Sequence, residues 1–342
     1  MKLFLVGSDK VYAIENFYAK YLRKVGIEVF HFPAQSLFYD YYQKNLLNKI
    51  VYRSGLSSVL KAINNSFRTK IETFKPDIIW IFKGMEIFPE SLQWAKSKGI
   101  PLVNYNGDSP FVFSGKGSGN KNVRESIFLY DLFLTYSRQD KKQMESKKVR
   151  SEILPFGFDL REGLFEECAK IEETNNLCFL GNPDEYRAKF INSLAKMNVR
   201  IDVYGNNWKR YVSHSNISIC EPVYGDEFWR TLRKYRVQLN LMRPHNLTTH
   251  NMRTFETAAV GGIQLAPATE DHELYFKENE EIFLFKGEES CAAKIAAIKK
   301  LSTEEANKIR GNARQRCLED GYSYEMRSIQ ALSFLKILQN KK

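Results

Sequence analysis

Five consecutive apolar residues, Ile78-Ile79-Trp80-Ile81-Phe82, follow Pro76-Asp77 with no polar residue among them. A strand wetted on one face alternates apolar with polar residues, whereas an unbroken run fits a strand covered on both faces, as parallel strands are in α/β proteins. The flanking segments agree with that reading. Residues 2–6 are a short apolar run closed by Gly7-Ser8, apolar positions recur at helical spacing from Ile14 to Val25, and 27–32 reads as a second strand. Beyond Phe82 come a helix at about 89–98, strands at 101–104 and 132–136, and a helix opened by Ser137 as its cap. Strands alternating with helices in this way predict a doubly wound sheet.

The alternation then repeats. Ile153 to Asp159 closes the first series, and the polar, acid-rich stretch from Arg161 to Asn176 reads as a linker. A second series has strands at 177–181, 199–204, 217–219 and 237–241, with helices at about 187–197 and 226–235. Three helices end the chain, at about 289–301, 303–318 and 324–339. With 342 residues, 43% of them apolar, the chain is long enough for two cores. The expected architecture is α/β: two Rossmann-like doubly wound domains, 1–157 and 158–320, facing across a cleft. A C-terminal helix, 321–342, is placed to cross back to the first domain.

Charge separates the two halves. The net charge of +11 lies wholly in residues 1–150, with 24 Lys and Arg against 13 Asp and Glu; residues 151–342 carry 27 of each. A one-sided excess points to an anionic partner for the first domain: a phosphorylated acceptor, an anionic membrane surface or a nucleic acid. Residues 38–75 mix Phe38, Tyr39, Tyr41 and Tyr42 with seven Lys and Arg. That composition suits a membrane interface or a nucleic-acid backbone; alternatively it is a core face with a solvated basic back, Leu46, Leu47, Ile50 and Val51 packing inward. No run approaches the ~20 apolar residues of a membrane span, and the apolar part of the N-terminus is short for a signal peptide. A cytoplasmic protein, in contact at most with the inner membrane face, is expected. Five scattered cysteines without CxxC spacing suggest neither disulfides nor zinc.

The most concentrated polar chemistry lies in Asn251 to Gly262, where Arg253 and Glu256 sit three residues apart on a short apolar helix closed by Gly261-Gly262. The two side chains either grip a charged ligand or simply pair with each other. In the first domain, Gly7 ends a strand, as a ligand-facing loop or an ordinary turn. Asp108, in the loop after the strand at 101–104, is either an acceptor-binding carboxylate or a turn residue bonding its own backbone. His245 and His250 flank the loop before Asn251; either contacts a ligand or is merely solvated.

Several segments taken in order resemble a known family: Ile153 to Asp159, Phe179-Leu180-Gly181-Asn182 with Arg187, Val203-Tyr204-Gly205 before Trp208, Leu239-Asn240-Leu241, and Asn251 to Gly262. They look like the signatures of group 1 glycosyltransferases of the GT-B fold, most of all the spore maturation protein CgeB-like group. The resemblance covers about residues 130–320. It implies a UDP- or GDP-sugar as donor, held without a metal, and transfer of the sugar to a hydroxyl of a glycan, a lipid-linked glycan, a protein or a modified nucleic acid. Glu256 would hold the ribose hydroxyls, while Arg253 and Arg187 meet the diphosphate. Gly181, Gly205, Asn251, Gly261 and Gly262 would line the donor, with Asp108, His250 and Arg253 nearest the chemistry. Related retaining enzymes often carry a second glutamate eight residues earlier, where this chain has Thr248. Retention is expected from the wider family alone. Two other readings stay open: a non-catalytic nucleic-acid or membrane-surface binding protein on the same scaffold, and a sugar-nucleotide epimerase.

Overall fold

The computed structural model describes residues 1–113 and 117–339, which form two compact units: Met1–Pro155 with Tyr324 onward, and Phe156–Ser323. In the first unit β1 (Lys2–Val6) leads through α1 (Ile14–Lys24) to β2 (Glu28–Phe32). Three helices follow, α2 (Ala34–Gln43), α3 (Leu46–Arg53) and α4 (Val59–Phe74). The chain continues through β3 (Ile78–Phe82), α5 (Pro89–Ser97), β4 (Leu102–Asn106), α6 (Lys121–Ser126), β5 (Leu132–Thr135), α7 (Arg138–Ser146) and β6 (Ser151–Ile153). The six strands are parallel in the order β2-β1-β3-β4-β5-β6.

Every residue of β3 is buried, and its pleat sorts the side chains by face. Ile79 and Ile81 join Phe4, Phe133, Ile63, Phe67 and Leu92 in a core that also draws on α4 and α5. On the opposite face Trp80 meets Tyr18 of α1, ring centroids 4.9 Å apart. Tyr18 in turn meets Tyr324, at 5.6 Å.

The second unit starts with α8 (Glu162–Ala169), which lies where the acid-rich composition suggested a linker. Its buried residues are Leu164 and Cys168, four residues apart on one face of the helix. Then come β7 (Thr174–Leu180), α9 (Glu185–Lys196), β8 (Ile201–Tyr204), β9 (Ile217–Cys220), α10 (Gly225–Lys234), β10 (Tyr235–Leu239), α11 (Met252–Ala259), β11 (Gln264–Pro267), α12 (Glu270–Tyr275), β12 (Phe283–Phe285), α13 (Gly287–Lys300) and α14 (Thr303–Glu319). The second sheet is also parallel, ordered β12-β11-β10-β7-β8-β9. Its core unites Leu177, Phe179, Val203, Val237 and Leu265 with Ile191 and Leu194 of α9 and Ile295 and Ile298 of α13.

The last helix, α15 (Tyr324–Gln339), belongs to the first unit. Phe17 of α1 stacks on Tyr324 at 4.9 Å, and Lys24 pairs with Glu325 at 2.5 Å. Each sheet has one point where the strand order reverses, β1/β3 in the first and β10/β7 in the second. Open parallel sheets bind ligands outside the carboxyl ends of the strands at such a point.

Candidate donor and acceptor edges

At the reversal point of the second sheet, the loops after β7 and β8 lock together. The Gly181 N–H donates to the Tyr204 carbonyl at 2.9 Å, the Trp208 indole donates to the Gly181 carbonyl at 2.9 Å, and the Asn206 N–H donates to Asn182 Oδ1 at 2.9 Å. Gly205 is required here: a Cβ on it would lie 2.5 Å from the Gly181 carbonyl oxygen, and its φ is +149°.

Arg187 is 8% exposed. It donates to the Asn182 carbonyl at 3.2 Å and the Leu241 carbonyl at 2.8 Å, so it ties the chain leaving β7 to the chain leaving β10. Burial, followed by the nearby Arg243, lowers its pKa to about 10, which leaves it a cation at neutral pH. Two of its donors are committed to carbonyls, and it acts as a brace.

Helix α11 begins at the same edge. Asn251 is its cap, accepting from the Thr254 N–H at 3.2 Å while donating to Asn240 Oδ1 at 2.7 Å. The cap is thereby tied to the end of β10. Thr254 Oγ1 lies 3.0 Å from His272 Nε2, and His272 Nδ1 lies 2.8 Å from the Pro267 carbonyl. A carbonyl only accepts, so Nδ1 carries the proton and Nε2 accepts from the threonine hydroxyl. Burial lowers the His272 pKa to about 4, consistent with a neutral ring.

His250 is fully buried. Its Nε2 accepts from the Phe156 N–H at 3.4 Å, and Nδ1 lies 2.6 Å from Asp271. Phe156, Phe255 and Tyr275 surround the ring at 5.1–5.7 Å. It is neither solvated nor presented to a ligand; it supports the base of the loop. The side chain of His245 lies outside the described residues. Thr248 is exposed.

Arg253 and Glu256 pair with each other. Arg253 also donates to the Leu180 carbonyl at 3.3 Å and lies over the Phe228 ring at 4.3 Å. Glu256 is buried, which raises its pKa, and the Arg253 guanidinium opposes that rise. Arg253 lines a cavity of about 180 Å³ with Gly181, Asn182, Gly205, Tyr224 and Phe228. Gly261 and Gly262 do not line this cavity. They lie past the C-terminus of α11, at the amino edge of the sheet, because the helix runs back antiparallel to the strands. A Cβ on Gly262 would meet Thr257 Cγ2 at 2.8 Å and Gln238 Oε1 at 3.0 Å, so this glycine permits helix–strand packing.

In the first unit, Asp108 pairs with Lys83 at 2.6 Å, at the ends of β4 and β3. The adjoining turn is made by Asn106, whose Oδ1 accepts from the Asp108 N–H at 3.1 Å. Beside β1, Glu15 Oε1 accepts from the Ser8 N–H at 3.1 Å and fills the space next to Gly7. Burial raises the pKa of Glu15 and that of Glu86, the latter to about 7. Glu15, Glu86 and Lys83 were not singled out in the sequence, nor were Tyr224, Phe228, Asp271 and His272; Asn240 was, as part of Leu239-Asn240-Leu241. Only the position of Lys83-Gly84 directly after an apolar run marked that segment as a strand-end loop.

Comparisons with known proteins bear on the fold. No curated protein sequence matches the chain. Sucrose-phosphate synthase from Thermosynechococcus elongatus is similar in structure, with TM-score 0.69, 10% identity and 100% of each chain covered. HepE from Anabaena in complex with UDP-glucose gives 0.65 at 12% identity, covering 98% of this chain and 99% of the other. A putative UDP-N-acetylglucosamine 2-epimerase from Listeria monocytogenes gives 0.59 at 11%, covering 100% and 97%. The chain thus has the GT-B fold, and its residues 187–333 match the model of a glycosyl transferase-like family.

Proposed function

We propose that the protein is a glycosyltransferase that takes a sugar from a nucleotide diphosphate held by the second unit and passes it to a hydroxyl of an acceptor held by the first. One observation carries the reading. Arg253 lines the 180 Å³ cavity at the ends of β7 and β8 and belongs to α11, whose N-terminus stands at the β10/β7 reversal point. A nucleoside fits the cavity walls of Tyr224 and Phe228. The diphosphate then meets Arg253 and the N–H groups that open α11, where helix geometry favours an anion. Glu256, exchanging its arginine for ligand hydroxyls, accepts from the ribose.

The match to a glycosyl transferase-like model over 187–333 supports this reading, as does the likeness to the CgeB-like group. HepE is found with UDP-glucose, so a uridine diphosphate sugar is the first donor to try, ahead of GDP-sugars. Cationic side chains and the helix terminus would carry the charge of the leaving diphosphate without a metal. Transfer with retention completes the proposal. On the acceptor side, Asp108 and its Lys83 partner would orient the attacking hydroxyl, and the basic surface of the first unit fits a phosphorylated acceptor.

Nucleoside diphosphates and their sugars, added in turn during thermal unfolding, test the donor half. At about 100 times its Kd the right ligand stabilises the second unit by about 2.7 kcal/mol. Arg253→Ala and Glu256→Ala should each weaken that ligand at least about tenfold, as loss of a charge-assisted contact does. A flat response to every nucleotide, or unchanged affinity in both variants, sinks the reading. An isomerised sugar nucleotide formed without acceptor would replace transfer by epimerisation.

A further inference from the structure

Helix α3 is amphipathic with its apolar side turned outward. Leu46, Leu47 and Ile50 are 71%, 65% and 54% exposed, and Leu56 just beyond the helix is 81% exposed. The inward side is fixed: Asn48 Nδ2 donates to the Tyr41 carbonyl at 2.8 Å, Tyr52 packs on Phe38 at 4.9 Å and on Tyr42 at 5.6 Å, and Asn45 caps the helix. The outward leucines are therefore held in place on a formed helix. At 3.6 residues per turn, Leu46, Ile50 and Leu47 span an arc of about 100°, with Arg53 and Lys49 along one margin. Residues 38–75 carry seven Lys and Arg against Asp40 and Glu72, and Lys44, Arg53 and Lys61 are exposed.

We propose that α3 and the segment to Leu56 form a docking surface for an anionic lipid bilayer, the apolar stripe entering the acyl boundary and the lysines and arginines meeting the headgroups. Charge selects this occupant. A second copy of the chain would bring two cationic margins together. A nucleic acid would satisfy the cations and leave Leu46, Leu47 and Ile50 without a partner, since bases stack on aromatic rings rather than on aliphatic side chains. An anionic membrane satisfies both features at once. Among the described residues no helix is long and apolar enough to cross a bilayer, which fits a helix lying in the interface plane.

The test is flotation of the full chain with vesicles of phosphatidylcholine alone and with about 30% phosphatidylglycerol, at low and high salt. Binding is expected to the anionic vesicles only, falling as salt rises. Leu47→Ser with Ile50→Ser should weaken it at least about tenfold, and Lys49→Ser with Arg53→Ser should lower its salt dependence. The Leu47/Ile50 pair should melt as the wild type does, because both side chains are exposed; the Lys49/Arg53 pair, in which Lys49 is half-buried over Tyr42, is to be compared with the wild type below its own melting temperature. The Leu47→Trp variant should shift its fluorescence to the blue, relative to the wild type, on adding anionic vesicles. Failure to bind anionic vesicles at low salt overturns the proposal, as does binding unaffected by the Leu47/Ile50 pair or an unshifted spectrum in the Leu47→Trp variant. So does tight binding of a single-stranded oligonucleotide, or self-association, in place of vesicle binding. Nucleotide affinity is expected to be unchanged in all these variants, so the outcome does not bear on the transferase reading.

Discussion

Glu86 is held at the end of β3 with its carboxyl buried and its pKa raised to about 7. Between the ordinary carboxylate pKa of 4.5 and about 7, the unfolded chain has lost a proton that the folded one keeps, so this residue's contribution falls as pH rises through that window and is constant above it. Glu86→Gln should therefore leave stability unchanged at pH 4 and raise it by about 3 kcal/mol at pH 8. Urea unfolding of both proteins across the pH range measures the difference, and a difference that does not vary with pH would refute the assignment. Residues of this kind were invisible in the sequence because their character comes from distant neighbours. Arg187 was expected from the resemblance to meet a diphosphate, yet it is buried and one of its carbonyl partners belongs to Leu241, 54 residues on. His250 looked like a loop histidine, yet Asp271 and three aromatic rings enclose it. Arg253 and Glu256 were legible because their partners are each other, three residues apart.

Helix α11 collects what matters at the next scale. Its N-terminus is fixed to the end of β10 through Asn251 and Asn240, and its C-terminal end packs on Gln238 of β10 where Gly262 has no side chain. Gly262→Ala would force a methyl group against Thr257 and Gln238, and overpacking of this kind costs about 1–3 kcal/mol. Thermal unfolding should show the loss, while nucleotide affinity measured well below the melting temperature should be preserved. An affinity loss without a stability loss would return Gly262 to the ligand site. Elements with unbroken apolar runs or clear caps, such as β3, β7 and α14 behind Ser302, were read to within a few residues. The sequence analysis passed over β6, α12 and β12, which have three, six and three residues, too few for a period to register. Helix α8 was read as a linker because five glutamates within 161–176 outweigh its short apolar cluster of Leu164, Phe165 and Cys168. For the segment of α3 the sequence left two readings open, an interface and an inward-packing core face; Leu46, Leu47 and Ile50 face outward.

For the whole molecule, the order of strands and helices sufficed to predict two doubly wound sheets, since a parallel connection must pass through a crossover and runs right-handed almost without exception. What order does not supply is the sharing of the chain between units. The first unit takes α15 from beyond the second, and the second is one continuous insertion. Phe158 and Ser323 form a bridge where the chain enters and leaves the second unit, so its ends are adjacent. Residues 156–323 expressed alone are expected to melt cooperatively. Residues 1–155 alone should not, because Phe17 and Tyr18 lose Tyr324; joining 1–155 to 324–339 through a short flexible linker should restore a cooperative melt, observed by calorimetry. Equal behaviour of 1–155 with and without the added helix would contradict this.

The same sharing dictates an order of events during synthesis. Strand β1 and helix α1 leave the ribosome before the second unit, yet the part of α1 that meets Tyr324 stays uncovered until the helix at 324–339 has been translated. At about 5–20 residues per second, that interval lasts for tens of seconds, with Phe17 lacking its stacking partner Tyr324. The inserted unit, contiguous in sequence, is complete sooner. The half begun first is therefore finished last, and the waiting surface is one a chaperone would meet.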